Sequence, residues 1–315
     1  LRVKCSGEEL HADLKDGEKV TKILYNGYIK DEIDRQHNHG FEPYMPDGTL
    51  RTMHARPQHM KDSALKNKSF SEHCIEVLKP IEDIAYGDDP KQVFDLYKAE
   101  GDNTPCVIML SGGQYMRGRT KVWSQWSMKC VENGISFIDL DHPQIPSTTL
   151  PEMMNNAEEF IYWIRDEADN YDIDPNRIIL AGHSSGASVL ATVIVRLAND
   201  GNVEGIKGVM ILSGNYDFLG PSLSFRQEFL KLSTSEIIEC SAIRNLIEPL
   251  PPVFICTGEE TAEMINHMDR FHEAVSWRSE SERVLFSNLN HFGLGMELYD
   301  DDSKMWKFII DHIWE

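Results

Sequence analysis

The chain has 315 residues and a formal charge of −20, with an ordinary globular composition of 41% hydrophobic and 26% charged side chains. That length is enough to bury a substantial core, as one large α/β domain or two smaller ones. The negative charge argues against nucleic-acid and anionic-membrane partners, which attract basic patches, and no apolar run reaches membrane-spanning length.

Residues 1–70 are polar, rich in His, Lys and Asp, and broken by turn signals at Asn26-Gly27 and Pro46-Asp47-Gly48. They read as a leader or cap segment with one short helix near residues 29–35. His37, His39, His54 and His59 lie in or beside it, but their spacing matches no standard ligand pattern, so no metal is expected. Asn67-Lys68-Ser69 is a lone glycosylation sequon, read as accidental.

From about residue 71 the pattern changes to alternating strands and helices, which predicts a mainly parallel sheet covered on both faces. Strands are predicted over residues 75–78, 93–97, 106–110, 135–140, 177–181, 208–212, 253–257 and 283–286. Trp123, Trp126 and Met128, at near-helical spacing, read as core. Residues 152–165 form a helix by periodicity, with Met153, Ala157, Phe160, Ile161 and Ile164 on one face. Thr149 and Glu152 make a capping box at its start. Residues 219–248 carry short helical patterns and are expected to form a cap insertion in a catalytic domain spanning 71–315. A last helix over 303–313 buries Trp306, Ile309 and Ile313.

The six cysteines, at 5, 74, 106, 130, 240 and 256, include no Cys-x-x-Cys pair, and Cys106 and Cys256 fall inside apolar strands. That usage favours a reducing compartment and hence a cytoplasmic location. No secretory signal is legible, although the chain opens on Leu1 rather than Met.

The chemistry concentrates at Gly182-His183-Ser184-Ser185-Gly186, set between an apolar strand and an apolar helix. A serine on such a turn is a nucleophile elbow, whose triad follows in the order Ser, acid, His. Ser184 is therefore the nucleophile. A hydroxyl attacks only when a base removes its proton and an acid orients that base. His291, in the loop after the last predicted strand, is the base, whereas His267, His272 and His312 fall on helices. His183 is expected to pack or hydrogen-bond locally. Glu260 is the preferred acid in the loop after the strand at 253–257, with Glu259, Glu263 and Asp217 left open. Gly112 and Gly113, at the end of the strand at 106–110, join the amide of Ser185 as oxyanion donors. These steps require no cofactor.

With those residues in place, the chain resembles the α/β-hydrolases of esterase/lipase type, in the kynurenine formamidase (arylformamidase)-like branch. Residues 174–187 resemble the elbow segment of that branch, 209–217 its next strand, and Asn290-His291-Phe292 its histidine segment. Glu32-Ile33-Asp34-Arg35-Gln36 is faintly similar to its N-terminal helix. The chain departs where the family has His-Gly-Gly-Tyr-Trp and this sequence reads Ser111-Gly112-Gly113-Gln114-Tyr115, and where the usual acid position holds Thr261. The resemblance implies an α/β-hydrolase fold and a serine hydrolase acting on a small carboxylic ester or aryl-formamide. The competing expectation is a non-hydrolytic member of the fold, a small-molecule receptor or an elimination or cyclisation catalyst. A homodimer stays open as the assembly.

Overall fold

The computed structural model describes residues 58–315 except 118–120, 225, 260, 261, 288 and 301, together with four short strands nearer the start of the chain. These pair antiparallel, β1 (Arg2–Cys5) with β2 (Glu8–His11) and β3 (Leu24–Tyr25) with β4 (Tyr28–Ile29). The second pair brackets the Asn26-Gly27 turn signal. The helix expected near 29–35 begins on a strand residue, Ile29, and 30–35 lie outside the described residues.

Helix α1 (Gln58–Leu78) corrects the predicted strand at 75–78, which is its last turn. Its buried positions Met60, Asn67, Ser71 and Cys74 recur at helical spacing. Two of the four are polar, which hides the apolar periodicity that normally announces a helix. The burial is tolerated because both are bonded. Ser71 Oγ donates to Val122 O at 2.6 Å, and Asn67 Nδ2 to Phe292 O at 2.6 Å. That bonded position also suits an accidental sequon at Asn67. The helix runs across the expected boundary at residue 70.

Eight strands follow: β5 (Ile81–Ala85), β6 (Val93–Tyr97), β7 (Thr104–Leu110), β8 (Ser136–Leu140), β9 (Ile173–His183), β10 (Ile206–Leu212), β11 (Val253–Gly258) and β12 (Ser281–Phe286). They form one sheet in the order β12-β11-β10-β9-β7-β8-β6-β5. All neighbours pair parallel except β6, which runs opposite to both β5 and β8. Edge strand β5 was not anticipated, because four of its five residues are exposed.

Side chains alternate across each strand, so one strand feeds two cores. On β7 and β9, Cys106, Ile108, Leu110, Ile178 and Leu180 face one core. Val107, Met109, Ile179 and Ala181 face the other. The first core is closed by α3 (Leu150–Glu167), α4 (Ser185–Asn199) and α9 (Ala262–Ser276), the second by α2 (Trp126–Glu132) and α11 (Lys304–Ile313). The Thr149/Glu152 capping box and the 152–165 helical face are as expected. Four short helices, α5 (Leu219–Ser222), α6 (Gln227–Leu230), α7 (Thr234–Glu239) and α8 (Ala242–Asn245), follow β10, and α10 (Leu294–Glu297) follows β12. This is the mostly parallel sheet with helices on both faces that the α/β-hydrolase expectation requires.

Candidate active site

Strand β9 ends at His183 and α4 starts at Ser185, leaving Ser184 alone to make the turn at φ 57°, ψ −122°. A left-handed non-glycine residue of this kind costs about 1–3 kcal/mol unless its surroundings over-determine it. Here they do. Ser184 N donates to Leu212 O at 2.8 Å, and Ser184 O accepts from Ser188 N at 3.0 Å and Ser188 Oγ at 3.1 Å. The same Ser188 oxygen receives Asn215 N at 2.8 Å and the hydroxyl of Tyr115 at 3.1 Å.

The turn after β7 stacks directly on the elbow. A Cβ added to Gly112 would stand 2.5 Å from His183 O and 2.6 Å from Ser184 Cβ, and one on Gly186 would stand 2.2 Å from Leu110 O. Only glycine allows this approach. Gln114 and Tyr115 then reverse the chain at φ 55° and 62°. Gly113 N donates to Ser185 Oγ at 2.9 Å, so the hydroxyl of the residue after Ser184 occupies that amide in this state. Ser111, standing where the family has histidine, donates to the buried Asp139 carboxylate at 3.1 Å, which also accepts from Ser124 Oγ at 3.0 Å.

His291 arrives from the loop after β12. It is 3% exposed, and its ring centre lies 4.3 Å from that of His183, the residue before Ser184. His183 Nε2 donates to His291 O at 3.0 Å, which fixes its tautomer because a carbonyl only accepts. Burial pushes the His183 imidazole down to about 3, so it stays neutral while holding the loop. Asn290 Oδ1 accepts from Phe292 N and Gly293 N, both at 2.9 Å, and closes the loop on itself. Ser184, His291, His183, Gly112 and Gly113 all line one cavity of about 260 Å³.

The acid position divides. Glu260 lies outside the described residues, but the end of β11 that leads to it abuts the histidine loop: Leu289 O would be 2.4 Å from a Cβ on Gly258. Glu259 is exposed. Glu263, in the first turn of α9, is buried 3.4 Å from His267 Nε2. Asp217 is engaged elsewhere. Its carboxylate accepts from Arg244 Nε at 3.0 Å and Nη2 at 3.1 Å, with Arg270 3.6 Å away. These contacts outweigh its burial and keep it ionised below the usual carboxylate range.

Sequence reasoning missed most of the cavity wall. Trp123, expected as core alone, is 4% exposed yet lines the cavity and packs 4.7 Å from the His183 ring. Asn67, Lys68 and Arg117 line it too. The only signal for α1 was the 3.6-residue recurrence of its small and polar buried positions.

Residues 94–218 match the family model described as BD-FAE. Over 256 residues the chain is 25% identical to the isoprenylcysteine alpha-carbonyl methylesterase of Arabidopsis thaliana, covering 69% of this chain and 60% of that protein. The chain thus spans about three-fifths of that relative's length. The kynurenine formamidase of Drosophila melanogaster is 21% identical over 292 residues, covering 79% of this chain and 91% of that one. A hyperthermophilic esterase from Pyrobaculum calidifontis superposes with a TM-score of 0.63 at 14% identity, over 82% of this chain and 93% of that one. Strand order and these similarities give the chain the α/β-hydrolase fold, with a match to the BD-FAE family model over residues 94–218.

Proposed function

We propose that the protein is a serine hydrolase that cleaves a small carboxylic ester or aryl-formamide bond, with Ser184 as nucleophile, His291 as base and Glu260 as the acid that orients it. The observation that carries this reading is the meeting of a left-handed Ser184 and a loop-borne His291 in one cavity. His291 accepts the Ser184 proton as the hydroxyl oxygen attacks the substrate carbonyl. The resulting oxyanion takes N–H bonds from the backbone of Gly112, Gly113 and Ser185. Because Gly113 N is now given to Ser185 Oγ, that hydroxyl must rotate away as the oxyanion forms. The imidazolium then protonates the leaving alcohol or amine, whose bond to the acyl carbon breaks. A water deprotonated by the same imidazole releases the acid and restores Ser184.

Names among the relatives bear on substrate class. The methylesterase and the formamidase share acyl transfer to water and differ in the leaving group, so both bonds stay within the proposal. The five described cysteines are buried free thiols, which suits the cytoplasmic location proposed with it. Turnover of p-nitrophenyl acetate against N-formylkynurenine, in the parent and in Ser184→Ala, tests the reading. The proposal expects hydrolysis of at least one substrate and its loss in the variant. Equal turnover with and without Ser184 would overturn it.

A further inference from the structure

The cavity at Ser184 has a charge pattern opposite to that of the chain around it. The protein carries −20 overall, yet the ionisable side chains lining the cavity, among the described residues, are His183, His291, Lys68 and Arg117, with no carboxylate. Two different elements deliver the two cations. Lys68 follows Asn67, a residue 2% exposed whose amide nitrogen donates to Phe292 O, so the turn of α1 that carries Lys68 is tied to the histidine loop. Arg117 sits on the turn that presents the Gly112 and Gly113 amides, and its N donates to Gly113 O at 3.0 Å. Both side chains are exposed, and Lys68 has Glu72 as a partner at 3.7 Å on the solvent side of α1. A partner so distant and so exposed holds a lysine weakly and leaves it able to turn to a ligand.

We propose that Lys68 and Arg117 form an anion-recognising rim on the Ser184 cavity, so that the preferred substrates are esters or amides bearing a carboxylate near the scissile bond. The inference rests on the hydrolase reading above and adds substrate charge to it. An anionic group in the mouth meets two exposed cations at the rim of the cavity, while the acidic remainder of the surface repels such substrates from unproductive sites. The arrangement selects by charge and leaves the apolar wall at Trp123 to accept the rest of the molecule.

A matched pair of aryl acetates reads this directly: p-acetoxybenzoate, which is anionic, and its neutral methyl ester. Each kcat/KM is divided by the rate of hydroxide-catalysed hydrolysis, so that leaving-group reactivity cancels. At low ionic strength the inference expects the corrected ratio to favour the anion by about tenfold, with each cation contributing roughly threefold. Lys68→Gln and Arg117→Gln each lower the ratio, their combination brings it to about one, and added salt lowers it in the parent. Lys66→Gln, an exposed charge on the same helix but outside the cavity, retains the parental ratio. If the methyl ester is hydrolysed but the anion is not preferred, or the double variant keeps the parental ratio, the inference is wrong and the hydrolase reading stands. Turnover of neither ester would overturn the inference, while the hydrolase reading is decided separately by the p-nitrophenyl acetate and N-formylkynurenine assay.

Discussion

Replacing Gly112 with alanine isolates the contribution of the β7 turn. The new methyl would meet His183 O at 2.5 Å and Ser184 Cβ at 2.6 Å, and neither is the free end of a flexible side chain. The turn must therefore back away from the elbow by several tenths of an ångström. Overpacking of this kind costs about 1–3 kcal/mol of stability. In a domain of this size each kcal/mol moves Tm by roughly 2–4 °C, so a fall of about 5 °C is expected. The catalytic effect is larger. If the backed-away amides no longer meet the oxyanion, losing one donor removes about 2.7–4 kcal/mol of transition-state stabilisation, or 10²–10³ in kcat. Steady-state kinetics with p-nitrophenyl acetate, run well below the Tm of the variant, separates the two effects. The expected pattern is kcat down by about a hundredfold with KM near the parental value. A Gly112→Ala protein with lowered Tm but kcat within about threefold of the parent would refute the placement of the carbonyl oxygen over this turn.

Glu260→Gln should lower kcat strongly while Tm is retained, and near-parental turnover would return the acid role to another carboxylate. Asp217→Asn should do the reverse, because it weakens the bonds to Arg244 and Arg270 within a buried cluster. Its Tm is expected to fall by several degrees with turnover maintained, and loss of activity in the folded variant would reinstate Asp217 as the acid. Stability should also depend on pH through His183. Its folded pKa of about 3 lies below the 6.5 of the unfolded chain, so unfolding takes up a proton between those values. The stability of the neutral, buried form is therefore complete above 6.5 and declines as pH falls towards 3, with a slope of up to about 1.4 kcal/mol per pH unit. Burial shifts His267 in the same direction. Urea midpoints followed from pH 7 to about pH 4.5 should show this decline, shallower in His183→Phe; an unaltered slope in that variant would reject the assignment.

The parts of the fold legible in the sequence are those where burial and local pattern agree. Strands β7 to β11 are covered on both faces, so they read as apolar runs bounded by turns. Helix α1 defeats that reading because its buried face carries Asn67 and Ser71, each bonded to the backbone of a distant loop. Strand β5 defeats it from the other side, since an exposed edge needs no apolar alternation. Within the site, Ser184 and His291 follow from the elbow and the order of residues along the chain. The acid does not, because three glutamates follow β11 within five residues and Asp217 stays open as an alternative until its arginine partners are seen. Least legible is the cavity wall. Asn67 and the Phe292 carbonyl it holds are 225 residues apart, a separation no local pattern encodes.

The most direct test of the central claim is covalent labelling of the folded protein with a fluorophosphonate probe, followed by peptide mapping. The account predicts one adduct, on the peptide containing Ser184, absent in Ser184→Ala and formed at least about a hundredfold more slowly in His291→Ala. No adduct on folded protein, or a labelling rate unchanged without the His291 imidazole, would contradict it.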